Sequence, residues 1–184
     1  TLDVAHRATQ ETKDTVLYWK NKIIPAYYSA CCGGLAATAG DAISGAPQLN
    51  IPPLEGHSGK DICTSLDIHK WTATRSARVL RKRLNASAKS LNLPHLANIR
   101  TIKSIEPIST NQHGRPTALA IKGRTNETLE IQGKDLVRAV NAPIPSLPIA
   151  TEQVWSSFLV GQKNGTKLNI DGYGVGHGVG LCQY

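Results

Sequence analysis

Five glycines, at 172, 174, 176, 178 and 180, occupy every second position of the closing segment Asp171-Gly-Tyr-Gly-Val-Gly-His-Gly-Val-Gly-Leu-Cys-Gln-Tyr184. Alternate residues of a strand share a face, so as a strand this segment carries side chains on one face only. Glycine weakens a strand interior and marks the close approach of another backbone or a ligand. A main chain bare on one side, with His177, Cys182 and Gln183 close by, reads as the floor of a site for a polar polymer. A flexible tail fits poorly with a regular period that carries Tyr and His. A phosphate loop is not matched either, because G-x-G-x-G-x-G differs in spacing and no Lys follows it.

The remaining sequence reads as an α+β fold, a mostly antiparallel sheet with two or three packed helices. Its 184 residues suit one domain, or one and a lobe. With one Phe and no Met, the core must come from Ile, Leu, Val and Ala. Asp3 to Gln10 reads as the end of a helix, and Val16–Trp19 and Ile23–Ser29 as a hairpin about Asn21-Lys22. Residues 35–60 form a long ordered loop rich in Ala, Gly and Pro. Ala77, Leu80, Leu84, Ala88 and Leu91 recur at helical spacing, with Thr72 or Thr74 as N-cap and Asn92 and Pro94 as the stop. Strands are expected over Ile99–Ile108, Thr117–Lys122, Thr128–Gln132, Trp155–Val160 and Lys167–Ile170. A short helix opens at Gly133, and Asn164-Gly165 is a hairpin turn. Both ends read as cut from a longer chain.

The formal charge of +8 favours a polyanionic partner: nucleic acid, anionic lipid or an acidic wall polymer. The densest cluster, Arg75, Arg78, Arg81, Lys82 and Arg83, reads as a solvated helix face. It has no interleaved aromatics of the kind a single-strand stacking platform uses, so nucleic acid is not the expected partner. No apolar run approaches a membrane span. Cys31, Cys32, Cys63 and Cys182 contain no C-x-x-C pair. Three readings stay open: a Cys32–Cys63 disulfide, a mixed zinc site of Cys63 with His57 or His69, or thiols that stay unbridged. Cys31 and Cys32, if extended, point to opposite faces, so at most one easily joins a shared site.

Several of these pieces together resemble the stage II sporulation protein D (SpoIID/LytB) family. The closing segment is similar to that family's G-[FY]-G-x-G-H-G-x-G-[ML]-S-Q-x-G-A. Ile23-Ile-Pro-Ala-Tyr-Tyr-Ser-Ala-Cys-Cys-Gly-Gly34 resembles its strand and turn ending in Gly-Gly, and Thr15-Val-Leu-Tyr18 its preceding strand. Cys63 through Trp71 resembles a C-x-x-S…W stretch, and Leu129 through Arg138 a strand-to-helix element. These elements keep the family's order over nearly the whole chain, 1–184, as one truncated domain of that kind.

The resemblance implies an extracytoplasmic place in the cell envelope and binding of peptidoglycan glycan strands. Cleavage would be that of a lytic transglycosylase, in which one carboxyl group protonates the leaving oxygen. It equally allows a non-catalytic, wall-binding enhancer of an amidase partner. The family's catalytic Glu motif and the His/Cys cluster of some members lie upstream of the matched stretch. Glu11, Glu55, Glu106, Glu127, Glu130 and Glu152 stand in no comparable context, so no catalytic residue is assigned. His177 and Gln183 are the candidate supporting residues. Tyr28, Ser29, Gly33, Gly34, Tyr173, Gly176 and Gly178 are the candidates for glycan binding, with the turn at 29–34 facing the glycine segment across a groove. A Cys182–His177 nucleophile is the less favoured reading, since the family's Ser there is not a nucleophile. No cofactor is expected, zinc on Cys63, His57 and His69 being the alternative.

Overall fold

The computed structural model describes residues 2–45, 49–57, 62–149 and 152–183. The fold is α+β, with a six-stranded, wholly antiparallel sheet at its centre. Helix α1 (Leu2–Glu11) precedes a small hairpin of β1 (Leu17–Trp19) and β2 (Lys22–Ile24). Next come β3 (Tyr28–Ser29) and the single turn α2 (Ala39–Ala42), capped by the Thr38 side chain. The main sheet begins with β4 (Lys70–Ser76), which leads into α3 (Ala77–Ser90). It continues with β5 (Ser104–Thr110), β6 (Pro116–Lys122) and β7 (Thr128–Gln132), followed by α4 (Gly133–Asn141). The hairpin β8 (Leu159–Asn164) and β9 (Lys167–Tyr173) and the short β10 (Leu181–Cys182) complete the chain. Spatial order in the sheet is β4-β9-β8-β5-β6-β7.

The core sits between this sheet and helices α3 and α4. Leu80, Leu84 and Ala88 of α3, with Leu136 and Val140 of α4, bury against Ile105, Leu119, Ile121, Ile131, Leu168 and Ile170. Burying such aliphatic side chains contributes on the order of 1.5–3 kcal/mol each. No helix among the described residues is long and apolar enough to cross a membrane.

Five expectations need correction. Thr72 and Thr74 lie inside β4, and the cap of α3 is Ser76, whose hydroxyl accepts from the Val79 N–H. Residues 23–29 are divided between two sheets, because Pro25-Ala-Tyr27 interrupts the extended run. The strand expected from Trp155 begins only at Leu159, and the one expected from Ile99 at Ser104, after a 3-10 turn over Pro94–Asn98. The glycine-rich segment is not one strand either. Of the loop expected over 35–60, residues 46–48 and 58–60 lie outside the described ones.

Candidate functional site

Strand β9 ends at Tyr173, and the chain then leaves the sheet. Gly174, Gly176, Gly178 and Gly180 have φ of +74°, +99°, +75° and +72°, the left-handed region open to glycine at little cost. The period of two therefore alternates backbone handedness and does not line one face of a strand. The segment lies directly on residues 27–37. Cys31 and Val175 exchange backbone hydrogen bonds of 3.0 and 2.8 Å, Gly178 accepts from Ala37 N–H at 2.8 Å, and Leu181 donates to Tyr27 at 2.9 Å. A Cβ at 174 would stand 2.7 Å from the Cys31 carbonyl oxygen, and one at 178 would stand 2.8 Å from the Arg115 guanidinium carbon. The bare backbone thus admits other parts of the protein. The two segments meet as expected, but through hydrogen bonds and not across a groove.

The ribbon surfaces at Gly176 and His177. The Gly176 N–H donates to the Trp155 carbonyl at 2.9 Å, which holds the 152–158 loop beside the imidazole. A cavity of about 240 Å³ opens there, with Lys134, Arg138, Trp155, Ser157, Gly176 and His177 among its lining residues. Helix α4 supplies the two cations from positions four apart, which share a helix face. Lys134 donates to the Gly40 carbonyl at 3.1 Å, and Arg138 lies 3.4 Å from Asp135. Trp155 keeps 47 % of its surface exposed. His177 Nδ1 accepts from the Val179 N–H at 3.0 Å, so a neutral ring carries its proton on Nε2. Burial pulls the His177 imidazole below its ordinary value, with the Arg115 charge acting the same way and a Tyr28 backbone hydrogen bond opposing them. This ring is therefore a neutral hydrogen-bond donor near pH 7.

The other expected site residues are dispersed. Tyr28 is exposed on β3, in parallel register with Leu181, whereas Ser29 is buried. Gly33 and Gly34 make the left-handed turn that follows Cys32. Tyr173 packs against His69 and Phe158, at ring separations of 5.3 and 5.0 Å. Gln183 is exposed near the chain end, its N–H donating to Ser29, and does not line the cavity of His177. Trp155, Lys134 and Arg138 were not among the expected residues. The i, i+4 cations of an amphipathic helix are the signal that could have found two of them.

Behind this surface the cysteines converge. Cys31, Cys63 and His69 place donor atoms within 4.8 Å of one another, as do Cys32, Cys63 and Cys182. The Cys32 and Cys63 sulfurs are 3.5 Å apart, and none of the four is half of a disulfide. Each group holds one of the two adjacent cysteines, as expected, and Cys63 is common to both, the Cys31–Val175 bridge and the turn at Gly33-Gly34 bending the chain around it. His57 is not in either group. Burial pushes Cys31 up to about 11. Burial also raises Cys63, but hydrogen bonds from Cys31, Cys32, the Gly34 backbone and Cys182 outweigh it, and its value falls. Cys182 donates towards the Ala30 carbonyl and is not paired with His177 among the described contacts. Arg115, 1 % exposed, donates through Nη1 to the carbonyls of Cys32 and Leu35.

The chain is 23% identical over 206 residues to the protein named Amidase enhancer of Bacillus subtilis (strain 168), a match covering 97% of this chain and 28% of that protein. It is 27% identical over 181 residues to Uncharacterized protein BHWA1_00569 of Brachyspira hyodysenteriae (strain ATCC 49526 / WA1), covering 97% of this chain and 41% of that one. The chain thus spans well under half the length of these curated relatives. The first match supports a distant relationship to amidase enhancers. Residues 55–180, which hold the whole six-stranded sheet, α3, α4 and the surfacing His177, match the model described as Domain of unknown function (DUF8618), and the chain belongs to that family.

Proposed function

We propose that this chain is a wall-binding module of the cell envelope, which holds peptidoglycan glycan strands at the cavity of Trp155 and His177 and assists an amidase. The observation that carries this reading is the lining itself. A half-exposed indole, a neutral imidazole donor and two cations share one cavity. An indole face covers the apolar face of a pyranose ring. The Ser157 hydroxyl suits sugar hydroxyl and acetamido groups, and Lys134 and Arg138 suit the carboxylates of muramic acid or of stem peptides. The excess of +8 draws the chain towards an acidic polymer. The distant relative named amidase enhancer supports the second half of the reading, and an extracytoplasmic location goes with it. A transglycosylase would need a carboxyl group as general acid. The described lining carries none, so binding is the activity assigned to it.

Cosedimentation with purified sacculi tests the reading. The chain should pellet with them, and Trp155→Ala should weaken this several-fold while leaving the melting curve unchanged. Failure to pellet, or pelleting indifferent to Trp155→Ala and His177→Ala alike, excludes this cavity as the site.

A further inference from the structure

The thiol cluster lies apart from the glycan cavity and has its own chemistry. It draws together residues distant in sequence: Cys31 and Cys32 after β3, Cys63 and His69 before β4, and Cys182 in β10. Small buried thiols commonly act as hydrophobic filling, and Leu66, Ile68 and Val175 do pack against these. Two observations resist that reading. His69 Nδ1 is buried without a hydrogen-bond partner, as are Nε and Nη2 of Arg115. Leaving such atoms unsatisfied in a purely apolar cluster is unfavourable by about 1–3 kcal/mol each. A Cys32–Cys63 disulfide would leave them in the same condition.

We propose that Cys63, with three of the donors Cys31, Cys32, Cys182 and His69, binds a zinc-class divalent cation. A tetrahedral zinc with bonds of about 2.3 Å to sulfur sets its ligand sulfurs about 3.8 Å apart. The 3.5 Å between Cys32 and Cys63 and the 4.8 Å limits on both groups are close to that geometry. Cys63 belongs to both groups and is the shared ligand. Binding converts thiols to thiolates and releases their protons, so three or four thiolates around one dication leave a net negative cluster. Arg115 supplies the balancing charge. It is buried without a carboxylate partner among the described residues, and its Nη1 donates to the Cys32 carbonyl beside the cluster. A ring nitrogen of His69 as fourth donor would give the imidazole a partner as well. Such a closed site is structural, and it clamps the 31–34 turn and β10 to the start of β4.

The test uses the chain purified without chelator under reducing conditions. Elemental analysis should find about one zinc per chain, and replacement by cobalt should give the thiolate-to-cobalt charge-transfer and intense d–d bands of a tetrahedral site. Cys63→Ser should reduce the metal to background, whereas His57→Ala should retain it. Should Cys63→Ser fail to fold, the cobalt spectrum of the unaltered chain decides. Chelation should lower the melting midpoint, and zinc should restore it. A chain that takes up neither zinc nor cobalt on dialysis, or gives a cobalt spectrum without thiolate bands, overturns the proposal. So does a chain whose cysteines map to disulfides with no metal present. None of these outcomes depends on sacculus binding, so this site and the glycan cavity stand or fall separately.

Discussion

The Gly176 N–H donates to the Trp155 carbonyl at 2.9 Å, and this bond ties the indole-bearing loop to the residue preceding His177. The position of Trp155 thus depends on the glycine ribbon, and the two line one cavity. Trp155→Ala removes the ring and leaves the backbone bond. An aromatic contact contributes about 0.5–1.5 kcal/mol beyond burial, so affinity for glycan fragments should fall roughly fivefold by calorimetry. Stability should hold, since nearly half the indole faces solvent. Unchanged affinity would remove Trp155 from the site.

His177 makes stability depend on pH in a definite direction. Its folded value is depressed, first by burial and then by the Arg115 charge, whereas the unfolded imidazole keeps a value near 6.5. Below that value the unfolded chain binds the proton more readily, so stability falls as pH drops. The contribution is fully present above about pH 6.5 and is lost on descending towards the depressed folded value. Lys134 and Arg138 line the same cavity as this imidazole, the Tyr27 ring lies 5.9 Å from it, and neither cation favours its protonation. Denaturation curves at pH 7 and pH 5 should converge more for His177→Gln than for the unaltered chain. Equal losses in both would show that another group carries the dependence.

The parts of the fold that rest on local pattern were legible in the sequence. The β8–β9 hairpin follows from Asn164-Gly165 and its flanking alternation, and α3 follows from Leu80, Leu84 and Ala88. Strand β4 was not legible, because Thr72 and Thr74 suit a cap as well as a strand. Its partner β9 lies about a hundred residues on, at Asn169 and Asp171, and such pairing leaves no local signature. The glycine period was visible, but its meaning was not: a repeat of two fits both a bare strand face and alternating backbone handedness. The cysteines were visible only as a composition. Their convergence on Cys63 depends on three chain segments that only the fold brings together.

Gly180 and Gly165 separate conformational strain from close packing. Both are left-handed, with φ of +72° and +59°. A Cβ at 165 would meet nothing within 4 Å, whereas one at 180 would overlap the Tyr27 carbonyl oxygen. Gly165→Ala should cost only the strain of that backbone region, about 1–2 kcal/mol. Gly180→Ala adds displacement of backbone and should cost about 3 kcal/mol or more. Chemical denaturation measures both, and equal losses would mean that the ribbon is not packed against residue 27.

Arg115 is where burial, charge and the thiol cluster meet. Its guanidinium is pushed down to about 10 by burial, opposed by Cys32 and Cys31. It lies 5.8 Å from the Phe158 ring centre while donating to the carbonyls of Cys32 and Leu35. Arg115→Met keeps much of the volume but leaves both carbonyls without this donor, and hydrogen bonds to charged groups contribute about 1.5–3 kcal/mol each. The relief of no longer burying a cation offsets part of that loss. The net loss in urea denaturation should be about 3 kcal/mol. Arg115→Lys keeps the charge but lacks the planar fork that reaches two carbonyls and stacks on an aromatic ring. It should therefore fall between the two. If Arg115→Met proved as stable as the unaltered chain, the paired carbonyl contacts would contribute nothing net, and the guanidinium's role would be confined to balancing the charge of the thiolates.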